Sequence, residues 1–552
     1  MKKNLKAVTM YKMRLVAVAC LFATQVAHAQ SAADVLRNIE QSKPLTTQPK
    51  PTPRKPAVAA TTDQGFARLK EIKVNSPLFQ NELLTYWAGE INQPVPAQKL
   101  ADFKAYAWEL FQNKGYLAYI TTSAVATPEG SILTVNVTFP SVGKVSVVTV
   151  DGDKGKEFAD EVARRFSAIY KAGMPADVQG FENQLNAIAY DLPVDLDVSL
   201  RQANDKTVDV VINLRPVNSK PGSVVGGLVQ LNNYGLSQFG REQLMANVRI
   251  AGLTPLSELS LTTQQSRGVA YYRADYEAPI VGTGVRWKVF ASDVHSYSSN
   301  VEGGSQEAGF GLTKLISTSR TTRWYAGVEA AERETWSWVS GIESQDRVDK
   351  QLRFRLRSES SKGIVDSYAN EFILTAGYLT LDGNLESNSQ RVEGGYQKLE
   401  MNGNLSQALG NTGVYTGSVR WRAQTANNNL DTYNQFSLGG VNGIRALTSL
   451  DGVGDTGAQF SFDLVHQYRA DIYSGVFYDI GVVKPRHTDI PGNGNNDHYM
   501  LQGAGVQFGG NVDKVNWTLS VAKSLGQTPS SWPATSTHIG DWRTNLAITY
   551  AF

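Results

Sequence analysis

The segment Leu352-Arg353-Phe354-Arg355-Leu356-Arg357 alternates one large apolar side chain with one guanidinium over six residues. Successive side chains of a β-strand point to opposite faces, so Leu352, Phe354 and Leu356 share one face and Arg353, Arg355 and Arg357 the other. Such a strand separates an apolar medium from water or counter-charges. The same split sets Val285, Trp287 and Val289 against Arg286 and Lys288, and Val419, Trp421 and Ala423 against Arg420, Arg422 and Gln424.

Residues 222–552 carry this texture throughout, as segments of about 9 to 15 residues separated by Gly, Asn, Asp and Ser clusters, with no helical period. A soluble β-sandwich also alternates, with its apolar face inward. The aromatic content and an unbroken run of 331 residues favour one continuous two-faced wall. The final Asn545–Phe552 segment puts Leu546, Ile548, Tyr550 and Phe552 on one face, and outer-membrane barrels resemble this aromatic ending. Segments counted from Val224 number sixteen if Thr432–Gly440 is loop, and parity favours sixteen. A sheet in lipid cannot leave edge N–H and C=O groups unpaired, so it must close, and at sixteen strands its lumen can hold water.

Upstream the texture is α+β. A strand over Ala67–Val74, helices over Asn81–Glu90 and Ala97–Asn113, and strands at Tyr116–Val125 and Ser131–Phe139 form one unit. The same order returns with a strand over Lys144–Asp151, helices over Lys156–Ala172 and Ala176–Tyr190, and strands over Val194–Gln202 and Thr207–Arg215. Two consecutive copies make a stronger signal than either alone. Their spans are 65–140 and 141–216.

The first 29 residues read as a secretory signal peptide: Lys2, Lys3, Lys6, Lys12 and Arg14, an apolar run from Leu15 to Val26, then Ala27-His28-Ala29. Residues 30–42 hold a short helix, with Val35, Leu36 and Ile39 on one side. Residues 43–64 contain Pro44, Pro49, Pro51, Pro53 and Pro56 and read as an extended linker. At about 3.1 Å per residue this linker reaches on the order of 70 Å.

The full chain of 552 residues has 53 basic and 51 acidic side chains, a net charge of +2. The five positive residues at the start leave 48 against 51 after cleavage, and the single Cys20 departs with them. No basic block marks a nucleic-acid partner. A mean hydropathy of −0.27 excludes a bundle of apolar membrane helices but not a barrel, whose strands show lipid only every second residue.

The chain has no His-Glu-x-x-His, Walker loop or Gly-x-Ser-x-Gly elbow. His295, His466, His487, His498 and His538 are not paired at ligand spacing. Gly452–Gly457 matches a dinucleotide fingerprint formally, but it precedes a strand and has no helix to hold a phosphate. Pro491–His498 lacks the terminal Glu of a calcium loop and reads as a hairpin tip. The expectation is a protein that is not an enzyme, with no cofactor, metal, nucleotide or nucleic acid.

Signal peptide, short helix, Pro-rich linker, two repeated units and a sixteen-stranded barrel, in that order, resemble the outer-membrane transporters of two-partner secretion (the TpsB family). The resemblance implies periplasmic POTRA domains of α+β class followed by an all-β sixteen-stranded transmembrane β-barrel. It also implies a loop, residues 439–457, folded back into the lumen. The family's Val-Arg-Gly-aromatic tetrad after a Gly-Gly pair is matched by Gly439-Gly440, Ile444 and Arg445, with Ala446 in place of glycine and Leu447 in place of the aromatic. Alanine disfavours a positive φ, so Gly443 is expected to take the turn. The family's Gly-Phe-x-Asp wall motif resembles Gly475-Val476-Phe477-Tyr478-Asp479 with one inserted residue, and Phe477 and Asp479 share parity. Arg445 is thus expected to pair with Asp479.

Leu231–Gln243 resembles the family's opening Asn-x-Gly stretch. The short helix would be a removable plug, about 16 Å long, on its linker. Implied partners are one large secreted exoprotein of TpsA type, captured at POTRA strand edges, outer-membrane lipids, and the barrel assembly machinery, with Tyr550 and Phe552 as the C-terminal signal. The alternative is an insertase for other barrels, whose known forms carry more POTRA units and no tethered plug.

Overall fold

The structure, a computed structural model, describes residues 65–552 except 77, 114–115, 151–154, 205, 217–223, 300, 320, 362–365, 383–387, 411–413, 470, 491–495, 531 and 533–536. The expected signal peptide, plug helix with Val35, Leu36 and Ile39, and Pro-rich linker lie outside the described residues.

Two small α+β units come first. In the first, strand Leu69–Asn75 precedes helices Gln80–Trp87 and Ala97–Asn113 and strands Tyr119–Thr127 and Gly130–Thr138. The last strand is central, parallel to the first and antiparallel to the second. Leu133, Val135 and Val137 alternate onto one face and meet Leu83, Trp87, Leu100, Phe103 and Phe111 from the helices. The second unit repeats this plan with strand Ser141–Thr149, helices Lys156–Ile169 and Val178–Ala189, and strands Val194–Asn204 and Thr207–Pro216 in the same sheet order. Its core joins Val208, Val210, Ile212 and Leu214 to Phe166, Phe181, Leu185 and Ile188. Asp177 caps the second helix by accepting from the Gly180 N–H at 2.9 Å. Both sheets have one helix-covered face, and because only the third strand is central the first and second strands are their edges.

Residues from Val224 to Ala551 form a closed barrel of sixteen strands in sequence order. This is the expected count. Thr432–Asn434 is a 3-10 turn and Phe436–Ser437 pairs only with Val453–Gly454 inside a loop, so neither joins the wall. The α+β class with an all-β barrel is therefore the observed fold class.

The wall has the two faces its alternation requires. Leu352, Phe354 and Leu356 are exposed on the outside with Phe460, Phe462, Leu464, Val506 and Phe508. This apolar band is far larger than a water-soluble surface tolerates and fits a bilayer. Tyr272, Tyr378 and Trp542 are exposed toward one rim, and Tyr415, Tyr468, Tyr550 and Phe552 toward the other. The inward guanidinium groups end on carboxylates. Arg353 reaches Glu307 at 2.6 Å and Glu329 at 2.8 Å, and Lys288 reaches Glu329 at 2.8 Å.

The barrel closes between strands Val224–Asn232 and Trp542–Ala551 through five residue pairs, Asn232 with Ala547 to Leu228 with Ala551. Phe552 extends the seam by exchanging backbone hydrogen bonds with Gly227 at 3.0 and 3.1 Å. At the other end the Asn233 side chain stands in for a strand, donating to the Thr544 carbonyl at 3.0 Å and accepting from the Leu546 N–H at 2.8 Å.

Candidate functional site: a luminal loop fastened to the wall

The longest connection lies between strands Tyr415–Ala426 and Thr456–Arg469, and its inner arm runs back inside the barrel. Phe436–Ser437 and Val453–Gly454 pair as a short ladder at its base. Beyond them the arm is held by its own backbone. The Leu438 and Gly439 N–H groups donate to Gly452 and Asp451 carbonyls at 3.0 Å, Ile444 N–H to Leu438 at 2.7 Å, and Leu447 N–H to Ile444 at 3.0 Å.

Two glycines make this compact fold possible for different reasons. Gly440 has φ 106°, a backbone most side chains avoid. Gly439 has no room, since a Cβ there would lie 1.8 Å from the Thr448 carbonyl oxygen. The expectation that Gly443 takes the left-handed turn is corrected. That role falls to Gly440, and Gly443 is required instead because a Cβ would lie 2.1 Å from the Leu438 carbonyl oxygen.

At the tip, Arg445 and Asp479 meet. Arg445 Nε and Nη2 donate to the two carboxylate oxygens at 3.0 and 2.7 Å, and the Arg445 backbone N–H donates to Oδ2 at 3.0 Å. Their side chains are 5% and 0% exposed, so this bidentate pair is shielded from competing water. Phe477, one inward step along the same strand, lies under the guanidinium with its ring centroid 3.5 Å away. Arg445 Nη1 also reaches Asp463 at 2.6 Å, and Arg420 stands 3.8 Å from Asp463 on the other side. Two cations thus face two carboxylates, which limits the cost of burying the arginine. Asn545, on the last strand, donates to the Arg445 carbonyl at 3.1 Å.

The departures from the family tetrad fit the packing. Ala446 does not adopt a positive φ. It faces the wall strand at Gly503, where an added Cβ would lie 2.9 Å from the Ala446 methyl and 3.1 Å from Ile444 Cγ2. Ile444 and Leu447 are fully buried in one apolar cluster with Leu438, Phe477, Tyr499 and Leu501. Leucine therefore supplies the bulk expected from an aromatic residue at 447.

Sequence reasoning missed the fastenings further back. Asp451 accepts from the Thr448 N–H and Oγ1 at 2.7 Å and from Thr537 Oγ1, in the last long loop, at 2.6 Å. Asp455 accepts from Gln435 Nε2 at 2.7 Å and the His487 N–H at 2.8 Å. Near the base, Asn434 Nδ2 donates to Asp349 at 2.8 Å, Tyr396 Oη donates to the same carboxylate, and Asp431 pairs with Arg347. Parity alone could have found Asp463, since Phe460, Phe462 and Leu464 face outward. The loop residues carry no periodic signal.

Among the described residues no three His, Cys, Asp or Glu side chains come together as a metal cluster. The arrangement is a mechanical one: a rigid arm fixed to the barrel wall at its tip, middle and base. Tyr550 and Phe552 lie away from it, exposed on the outer face with rings 6.3 Å apart.

No protein-family model matches this sequence, and no curated protein matches it. Among solved structures, CdiB from Escherichia coli is similar over 96% of this chain and 99% of its own, with TM-score 0.57 and 16% identity. CdiB from Acinetobacter baumannii is similar over 96% and 99%, with TM-score 0.56 and 15% identity. BamA from Haemophilus ducreyi lacking POTRA domains 1–3 is similar over 88% of this chain and 100% of its own, with TM-score 0.51 and 11% identity. The chain shares the fold of these barrels.

Proposed function

We propose that this chain is an outer-membrane, protein-conducting pore of two-partner secretion. In this reading it recognises one unfolded exoprotein of TpsA type in the periplasm and exports it to the cell surface. The observation that carries the reading is the luminal arm pinned by Arg445 to Asp479, in a barrel that follows two βααββ units. These are the parts the TpsB resemblance implies, in the same order.

The chemistry of transport is binding and release, with no bond made or broken. The two small units are POTRA domains facing the periplasm, and each offers an edge strand to which an extended segment can add. Strand Tyr119–Thr127 is such an edge. The periplasm holds no ATP, so folding of the exported chain outside supplies the driving force. The luminal arm then acts as a gate or guide, and the segment at residues 30–42 as a plug tethered by residues 43–64. The outward apolar band contacts outer-membrane lipids, and the barrel assembly machinery reads the strand ending in Tyr550 and Phe552.

The test is co-expression with a candidate secreted protein of TpsA type. Export that depends on this chain, and that falls in Arg445→Ala while the barrel still assembles, supports the reading. Unchanged export in that variant removes the role assigned to the arm. Restored assembly of other barrels with no export would favour the insertase instead.

A further inference from the structure

A second site stands outside the lumen, at the tips of two neighbouring hairpins. Strands Val285–Ser298 and Val301–Thr318 form one hairpin, and Thr322–Val339 and Ile342–Ser361 the next. Their tips lie at the barrel end that carries the longer loops, the extracellular end by the usual rule for such barrels. Between them is an open cleft of about 400 Å³, lined by Tyr297, Ser299, Glu302, Trp338, Ser340 and Gly341.

The cleft faces away from the pore. Tyr297 has the parity of Val289, an exposed residue of the apolar band, and both Tyr297 and Trp338 are exposed at 57% and 40%. An exported chain leaving the lumen does not meet it. It also stands above the hydrocarbon. From Val289 to Tyr297 the strand climbs about 27 Å, or about 20 Å along the membrane normal for a tilted wall. Of the outward positions in between, Ala291 is small and the two above it are polar: Asp293 accepts from Gln306 at 3.1 Å and His295 lies 3.3 Å from Glu302. On the next hairpin Glu332 and Lys350 face each other at 3.7 Å, both largely exposed.

The tips are built rather than incidental. Ser340 and Gly341 have φ 52° and 79°, the backbone of a tight two-residue hairpin, and Ser299 has φ 53°. A register shift between Ser337 and Trp338 interrupts the ladder there, a device that re-aims a side chain. Trp336, on the same face, covers Gly304, whose Cβ would lie 2.3 Å from the indole. Tyr297 and Glu302 are direct cross-strand partners.

We infer that this cleft binds the saccharide headgroup of an outer-leaflet glycolipid. A pyranose presents C–H bonds polarised by its oxygens, which suit the negative faces of Tyr and Trp rings. Its hydroxyls donate to the Glu302 carboxylate and exchange hydrogen bonds with the two serine hydroxyls. The lining residues include a carboxylate and no ammonium or guanidinium group, which disfavours a phosphate, and the polar rim disfavours an acyl chain. The height above the lipid band is where the sugars of a glycolipid lie. The inference requires the barrel to sit in an outer membrane but not that it exports a protein.

The test uses the full chain in phospholipid nanodiscs, titrated with hexose-rich core oligosaccharide freed from rough lipopolysaccharide by mild acid. Binding is read by calorimetry and saturation-transfer NMR. Wild type binds, Trp338→Ala weakens binding at least tenfold, Glu302→Gln weakens it severalfold, and Trp338→Phe stays within about threefold. Inorganic phosphate and free lipid A do not compete. Nanodiscs carrying intact rough lipopolysaccharide show the same dependence on Trp338, which assigns the sugar to its lipid-anchored source. Heat-modifiable gel mobility checks folding, and Glu302→Gln and Tyr297→Ala decide the matter if Trp338→Ala misfolds. Equal binding by wild type and variants overturns the inference, as does Trp338-dependent binding of an extended peptide with none of the sugar. Export of the partner by these variants stays at the wild-type level, so the two readings fail separately.

Discussion

The carboxylate of Asp479 accepts three hydrogen bonds from Arg445 alone: from its backbone N–H and Nε at 3.0 Å and from Nη2 at 2.7 Å. A backbone bond fixes where the loop's main chain lies, and the two side-chain bonds fix its orientation. The pair therefore sets the position of the whole tip.

Removing one partner strands a buried charge. Asp479→Asn is expected to destabilise the docked arm by about 3–5 kcal/mol, the usual cost of breaking a buried pair from one side. In Asp463→Asn the bidentate pair of Arg445 with Asp479 remains, so that change should cost less. Limited proteolysis at 439–457 measures this. Equal protection in Asp479→Asn and wild type refutes the fastening.

Gly439→Ala and Gly440→Ala separate crowding from backbone strain. At Gly440 the cost is the left-handed backbone, about 1–2 kcal/mol. At Gly439 the new Cβ meets the Thr448 carbonyl at 1.8 Å, so the arm must move. Gly439→Ala is expected to increase protease cutting in the arm more than Gly440→Ala does. The reverse order contradicts the geometry.

Ala446 and Gly503 should be coupled. Gly503→Ala forces a methyl to within 2.9 Å of Ala446 and is expected to loosen the tip, whereas Ala446→Gly opens the space. The double variant should recover part of the loss, giving a favourable coupling of about 0.5–3 kcal/mol. Strict additivity in the proteolysis assay rejects direct contact.

Closure of the barrel depends on the last residue. Phe552 exchanges two backbone bonds with Gly227, and its ring lies where a Gly227 Cβ would be 2.8 Å from Cζ. Deleting Phe552 is expected to reduce folded barrel severalfold in heat-modifiable gels, and Phe552→Ala less so because its backbone bonds persist. No change in the deletion excludes a role in closure.

The second α+β unit carries a pH-dependent clasp. Arg164 and then Arg165 donate to Glu161 and hold its carboxyl down to about 2. A carboxyl lowered on folding contributes stability above its unfolded value of about 4.3, and that stability is lost as pH falls toward 2. Glu161→Gln should destabilise the helix Lys156–Ile169 by less than about 1 kcal/mol near pH 7, because the pair is partly exposed. By hydrogen exchange, that difference should shrink below about pH 4 and vanish as pH approaches 2. A difference that grows with acidity has the wrong sign. Arg165→Ala should cost more, since it removes a 2.8 Å ion pair with fully buried Asp191.

Alternation and repetition determined what the sequence could determine by itself. Leu352 to Arg357 specifies a two-faced strand because side-chain parity is a local property of an extended backbone, and enough such strands in lipid must close. The two βααββ units are legible for a similar reason, since each element's period lies within its own segment. The pairing of Arg445 with Asp479 was legible only through resemblance, because 34 residues of chain separate partners that no local rule connects. What the tertiary structure alone decided is how the arm fits. Gly440 rather than Gly443 takes the left-handed turn, Ala446 is accepted because Gly503 faces it, and Asp451, Asp455 and Asp463 become anchors. Those outcomes depend on distances between segments that the barrel brings together when it closes, and irregular backbone leaves no periodic trace of them in the sequence.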